Sequence, residues 1–354
     1  MSTYRPWRLK FASALAAVGV CASFGASGAS ASPVSAAPKL SGAGGQTAGV
    51  LVPAGTALTS YWNKSAAGAQ QLNSVLPAGH NALASASEAT VTPQGAAGQV
   101  AGTTGTLGRA VTITPDLGPI GTPWWGSGGS APATTTGKVF FTDHKGGNWV
   151  CSGSLVNSAA KNVVITAGHC VYGTAGGKLP AGETWHSNWV FAPDYSNGNA
   201  PYGYWTARQM WTLTNYMNND DEQDDLGAVL LNTNPNGDGV KAVQLLGGQG
   251  IAWNESSSQF VYDLGYPAES PFNGQTLQYC TNDMGWGWFD SMEFLPCNFT
   301  GGSSGGPWLM DFNGNWGYVD SVNDATGYFF YPGQMGGLYF GNNAMNLYQT
   351  VAPL

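Results

Sequence analysis

Residues 163–170 read Val163-Val164-Ile165-Thr166-Ala167-Gly168-His169-Cys170. A β-branched apolar run enters a tight Ala-Gly turn, and the turn presents a histidine. A histidine that works as a general base must be held still, and the adjacent Cys170 would pin this one. One histidine alone is more often structural. The whole segment is what makes His169 a candidate.

Two further segments carry matching chemistry. Asp224-Asp225-Leu226-Gly227-Ala228-Val229-Leu230-Leu231 sets an acid directly before an apolar strand. A carboxylate there can accept the second ring N–H of a histidine. Asp220, Asp221, Glu222 and Asp224 precede it. That run reads as a solvated acidic loop, with calcium as the other reading of clustered carboxylates. Asp225 is separated from the run because it touches the strand. Gly301-Gly302-Ser303-Ser304-Gly305-Gly306-Pro307 surrounds a serine with glycines, which let backbone N–H groups approach a substrate carbonyl oxygen. In a glycine-rich chain such a loop is by itself ambiguous.

Chain order restricts the combinations. Gly302 to Gly306 also fits G-x-S-x-G, the nucleophile elbow of α/β-hydrolases, but that fold needs its histidine after the serine. His80, His144, His169 and His186 all precede Ser304. The order acid, histidine, serine would need Asp116 or Asp143, and neither stands in a supporting motif. His169, Asp225, Ser304 is the triad order that uses all three segments.

Around these segments the chain is poor in charge and rich in glycine. Only 9% of its 354 residues are Asp, Glu, Lys or Arg, and 52 are glycine. Average soluble domains carry about 25% charged residues and about 7% glycine. Long helices laced by ion pairs are excluded. With 43% apolar and 12% aromatic residues, charge-driven disorder is excluded too. The net charge of -8 and pI near 4.8 argue against a nucleic-acid partner.

The charge divides at about residue 137. Residues 1–137 hold six basic and two acidic residues, and residues 138–354 hold six basic and eighteen acidic ones. Residues 1–31 read as a secretory signal peptide: Arg5, Arg8 and Lys10, then the apolar run Phe11 to Phe24, then Ala29-Ser30-Ala31. No later run is long and apolar enough for a membrane span, so the processed product is expected off the membrane, extracellular. Residues 32–137 are rich in Ala, Gly, Thr and Ser, with Trp62, Trp124 and Trp125 nearly alone. That composition is expected to bury little apolar area, as a pro-segment or linker.

From residue 138 short apolar runs alternate with turn signals. Strands are expected at Val139 to Phe141, Val163 to Ile165, Leu226 to Leu231, Phe260 to Tyr262, Gly317 to Val319 and Tyr328 to Tyr331. Asn197-Gly198, Asn236-Gly237, Asn273-Gly274 and Asn313-Gly314 supply hairpin turns. Asn342 to Ala352 reads as a helix with Met345, Tyr348 and Ala352 on one face. The expected fold is all-β, closed barrels or a sandwich, with a short C-terminal helix. Beyond Cys21 in the signal stand Cys151, Cys170, Cys280 and Cys297. An even number in an exported chain implies disulfides in one of three connectivities. No C-x-x-C or C-x-x-H spacing supports zinc.

Over residues 138–354 the sequence resembles the trypsin/chymotrypsin-like serine peptidases. Cys151-Ser152-Gly153-Ser154-Leu155, Thr166-Ala167-Gly168-His169-Cys170, Asp225-Leu226-Gly227 and Gly302-Ser303-Ser304-Gly305-Gly306-Pro307 carry the resemblance. It implies two six-stranded antiparallel β-barrels with the site between them, a Cys151–Cys170 disulfide, and a secreted, monomeric endopeptidase acting on protein or peptide substrates. Ser304 is then the nucleophile, His169 the base, Asp225 its orienting acid, and the Gly302 and Ser304 N–H groups the oxyanion hole. No metal or organic cofactor is required. Ser303 stands where many members carry an Asp that pairs with a freed N-terminus, which directs attention to pro-segment removal and to secreted bacterial members, the glutamyl-endopeptidase-like branch included. Asn298 falls at the floor of the specificity pocket, and Ser321-Val322-Asn323 on the substrate-pairing strand. Asp320, where glutamate-specific members carry His, is a candidate acid beneath a basic side chain, or a turn cap. The fourteen tryptophans keep one alternative open: a carbohydrate-binding or catalytically inactive secreted β protein.

Overall fold

In the computed structural model of the protein, the described residues are 39–42, 45–52, 58–65, 70–71, 95–113, 118–126, 128–173, 184–287, 292–326 and 332–354. The signal peptide and the strand expected at Tyr328 to Tyr331 lie outside them. All described residues fall in one unit, Pro33–Leu354. Among them no helix is long and apolar enough to cross a membrane.

The N-terminal part supplies β1 (Lys39–Ser41), β2 (Thr47–Leu51), α1 (Leu58–Ser65), β3 (Gln70–Gln71), β4 (Gly98–Val100) and β5 (Thr122–Pro123). Next come β6 (Thr136–Thr142), β7 (Asn148–Val156), β8 (Val163–Ala167), β9 (Ser187–Pro193), β10 (Trp205–Leu213), α2 (Thr214–Asn219) and β11 (Leu226–Leu231). After α3 (Ala242–Leu246) follow β12 (Gly250–Trp253), β13 (Phe260–Gly265), β14 (Gln278–Asp283), β15 (Gly285–Trp286) and β16 (Glu293–Pro296). The last elements are β17 (Pro307–Met310), β18 (Tyr318–Thr326), β19 (Gln334–Gly337) and α4 (Asn342–Val351).

Six strands close the first barrel, in the order β6-β7-β8-β11-β10-β9, with β9 pairing back onto β6. Every one of these pairings is antiparallel. β8 and β11 read as almost unbroken apolar runs because both of their faces are covered. Val139 and Phe141 point into the barrel with Leu155, Val164, Trp189 and Val229. Phe140 and Ile165, on the other face, join the larger cluster shared with the second half of the chain. Asn197 and Gly198 both have positive φ, 49° and 84°, closing a tight turn between Ser196 and Asn199.

The second half runs β16-β19-β18-β17-β13-β14. These six antiparallel strands curl into a half-barrel. Among the described residues no ladder joins β14 to β16. The Cys280–Cys297 disulfide links β14 to the residue after β16 instead. The second of the two expected barrels is therefore open at this seam. Helix α4 packs against β10, β11, β12 and β2, burying Ala344, Leu347, Tyr348 and Val351. Of the three residues expected on one face, Tyr348 is buried, and Met345 and Ala352 lie partly buried.

The described part of residues 39–137 buries more than its composition suggests. β2 pairs with β10 from Gln209 to Leu213, along the edge that β9 leaves after Thr206. Trp62 is 0% exposed, packs on Phe140 and donates its Nε1–H to the Asn188 carbonyl at 2.7 Å. Trp124 stacks on Trp125 and meets Tyr279 and Phe312. A few large aromatics anchor a segment whose average composition is that of a linker.

Candidate active site

Strand register brings the first two motifs together. Leu226 pairs with Ala167, so Asp225 and Gly168 meet at one end of the β8–β11 ladder. The Gly168 N–H donates to the Asp225 carbonyl at 2.9 Å. A side chain at Gly168 would press on Asp225 Oδ1, so glycine admits the carboxylate. Asp225 Oδ1 accepts the His169 backbone N–H at 2.6 Å, and Oδ2 faces His169 Nδ1 at 2.7 Å. Burial opposes the charge on Asp225, but the His169 imidazole, its hydrogen bonds and Asp324 outweigh it and hold the carboxyl below the usual range. His169 Nε2 is buried with no hydrogen-bond partner.

His169 is also fixed from behind. Cys170 is bonded to Cys151 on β7, and Trp189 Nε1 donates to the Cys170 carbonyl at 3.0 Å. His186 Nε2 meets the His169 carbonyl at 3.0 Å, and its ring stacks on Phe141. Burial lowers the His186 pKa to about 4, so the ring is neutral and donates to that carbonyl. This role was not legible beforehand, because His186 stands in no motif.

The Gly-Ser loop docks onto β7 and β8 from the second half. The Ser304 carbonyl accepts the Ser152 N–H at 2.8 Å and lies 3.7 Å from Cys170 Sγ. Ser152 Oγ donates to the Gly302 carbonyl at 3.0 Å and accepts the Tyr266 N–H at 2.9 Å. Gly302 has φ +97°, and a Cβ there would stand 2.8 Å from the Tyr266 carbonyl oxygen. Among the described residues no acceptor takes the Gly302 N–H. Ser303 Oγ donates to the Thr300 carbonyl at 2.9 Å, closing its own loop.

The four expected specificity residues are placed less openly. Asn298 is half-buried, and its Oδ1 accepts the Gly121 N–H at 2.7 Å. Asn323 is buried with its amide spent internally: Nδ2 donates to Asp263, and Oδ1 accepts from Trp308 Nε1. Ser321 is buried, as is Asp320, whose pKa burial and the nearby Glu255 and Asp311 raise to about 7. A bulge between Asn323 and Ala325 breaks the alternation of β18, and Asp324 rather than Asn323 approaches His169. The acidic run is tied by amides: Asp224 accepts from Asn215 and Asn343, and Asp221 from Asn215.

Two described clusters hold metal-ligating side-chain types: Cys151, His169 and Cys170, and His169, Asp225 and Asp324. In the first, both sulfurs are joined to each other. In the second, Asp225 is bonded to His169, and Asp324 Oδ1 lies 3.9 Å from His169 Nδ1.

No family model matches the chain. Over 85 residues it is 34% identical to an extracellular metalloprotease of Bacillus subtilis, and it spans only 24% of that curated relative. Among solved structures, the protease Anisep of Arthrobacter nicotinovorans is 37% identical, with 62% of this chain and 96% of that one covered and a TM-score of 0.56. A thermostable serine protease, AL20, from an extremophilic microorganism is 38% identical, with coverage of 62% and 99% and a TM-score of 0.54. A Glu endopeptidase at 17% identity shares the fold, with coverage of 68% and 99% and a TM-score of 0.52. Sequence identity across nearly the whole of one solved protease and one solved serine protease, on a closed barrel and a half-barrel with His169 and Asp225 joined between strands, establishes that this chain belongs to the trypsin/chymotrypsin-like serine peptidases and is a protease.

Proposed function

We propose that the protein is a secreted serine endopeptidase that works through an acyl-enzyme formed on Ser304. The observation that carries this reading is the two-point grip of Asp225 on His169, which fixes both the ring and the backbone beneath it. With Nδ1–H donated to Asp225, the lone pair sits on Nε2, the atom without a partner. His169 takes the Ser304 proton as Oγ attacks the peptide carbonyl, and later returns it to the leaving amine. The Gly302 and Ser304 N–H groups receive the developing oxyanion; losing one such donor costs about 3 kcal/mol of barrier. Asp225 stabilises the imidazolium without taking its proton.

Secretion is supported by the basic-apolar-small pattern of residues 1–31, by the two disulfides and by the extracellular relative. Residues 32–137 act as a pro-segment removed in maturation; Ser303 bonds within its own loop, so no acid stands there to receive a freed N-terminus.

A serine-directed phosphonylating reagent, applied to the processed protein beside a Ser304→Ala variant, tests the reading. Wild type is expected to be labelled at Ser304 and to digest casein, and the variant to lose at least about 10⁴-fold in kcat/KM. An unlabelled and inactive processed wild type would overturn it. N-terminal sequencing of the processed form, expected to start between residues 105 and 137, tests the pro-segment.

A further inference from the structure

We propose that Asp324 is a positioning residue of this site: as a neutral carboxylic acid it donates a hydrogen bond to Asp225 and holds that carboxylate against His169. The proposal rests on the triad reading above and deepens it.

Asp324 is 3% exposed and its Oδ1 lies 3.9 Å from His169 Nδ1. One ligand atom from each of His169, Asp225 and Asp324 lies within 4.8 Å of the others. The β18 bulge delivers Asp324 here, while its neighbour Asn323 is held away by Trp308 and Asp263. Two carboxyls thus share one buried pocket.

Charge counting decides their states. Among the described residues no Lys or Arg pairs with either acid; the one basic group that faces them is His169. Two adjacent carboxylates with one imidazole cannot both stay ionised, so the pair retains a proton. Asp225 already accepts two N–H bonds from His169, which favours its charged form. Asp324 has neither, and its Oδ2 finds no partner at all. Burial first, then the charge and hydrogen bond of Asp225, then Glu222, push Asp324 well above the usual carboxylate range. The proton therefore resides on Asp324 and points at Asp225. A neutral donor there limits rotation of the Asp225 carboxylate without adding a second negative charge beside His169.

Two substitutions separate donation from charge and from shape. Asp324→Asn keeps an N–H donor and the volume. It is expected to stay within about threefold of wild type in kcat/KM, with the acid limb of the pH profile unmoved. Asp324→Ala removes the donor. It is expected to lower kcat by about 10- to 100-fold with KM little changed, and to displace the acid limb. Circular dichroism and thermal melting establish that both variants are folded. If folded Asp324→Ala matches wild type in kcat and pH profile, the proposal is overturned. It is overturned equally if Asp324→Asn loses as much as Asp324→Ala, or if its acid limb falls by a unit or more, the mark of a lost negative charge. Phosphonylation of wild-type Ser304 is the parallel control: its failure removes the triad reading, whereas labelling with indifferent Asp324 variants removes this inference alone.

Discussion

Gly302 shows how narrow the tolerances are at the level of one residue. Its positive φ, and the 2.8 Å that would separate an added Cβ from the Tyr266 carbonyl oxygen, leave no room for a side chain, so the proposed oxyanion donor has to be glycine. Gly302→Ala is expected to cut kcat by about 10²-fold or more, measured on a chromogenic ester with active-site titration, while the melting temperature falls modestly. Asp320 offers a test through pH. Its folded pKa, raised to about 7 by burial and by Glu255 and Asp311, lies above the unfolded value of 3.8. The folded state therefore holds this proton more tightly. The stabilisation from Asp320 is complete below about pH 4 and is lost as pH rises towards about 7. Asp320→Asn has no proton to lose. In a Ser304→Ala background, denaturant unfolding should show a smaller drop in stability between about pH 5 and pH 8 for Asp320→Asn than for the parent. An equal drop in both proteins would sink the assignment.

Among the elements, the two disulfides do different work. Cys151–Cys170 ties β7 to the turn that bears His169, so it belongs to the site. Cys280–Cys297 spans the seam between β14 and β16, where no ladder runs among the described residues. Replacing both Cys280 and Cys297 by Ala is expected to cost about 2–4 kcal/mol, read by thermal or denaturant unfolding. Because His169 and Asp225 lie in the first barrel and Ser152 of β7 holds the Gly302–Ser304 loop onto it, kcat at a temperature well below melting should hardly change. A large loss of kcat with unchanged stability would show that the seam shapes the site itself. The short strands around Val139, Val163, Leu226 and Phe260 were legible as apolar runs between Asn-Gly and Gly signals. The β18 bulge was not legible, because it arises from pairing with β19 across a chain separation that no local pattern records.

Across the whole molecule, the N-terminal segment and the acidic unit are stitched by a few anchors. Trp62→Ala, made in the Ser304→Ala precursor, is expected to cost about 3–5 kcal/mol through the cavity left against Phe140 and the lost bond to Asn188. The processed form lacks Trp62 on the proposed cleavage, so its melting temperature should be the same from either parent; a difference there would count against removal of the segment. By itself the sequence determined the all-β class, the even cysteine set, the residue order His169, Asp225, Ser304 and the resemblance those motifs carry. These features are local: a period of two, a turn dipeptide, a motif within eight residues. Only the tertiary structure decided that one barrel closes while the other has no closing ladder among the described residues, that Trp62 is buried, that Asn323 is consumed internally, and that Asp324 and His186 stand against His169. The physical reason is shared. Each depends on which distant strand supplies the facing hydrogen bond or the covering ring, and one-dimensional spacing does not encode that choice.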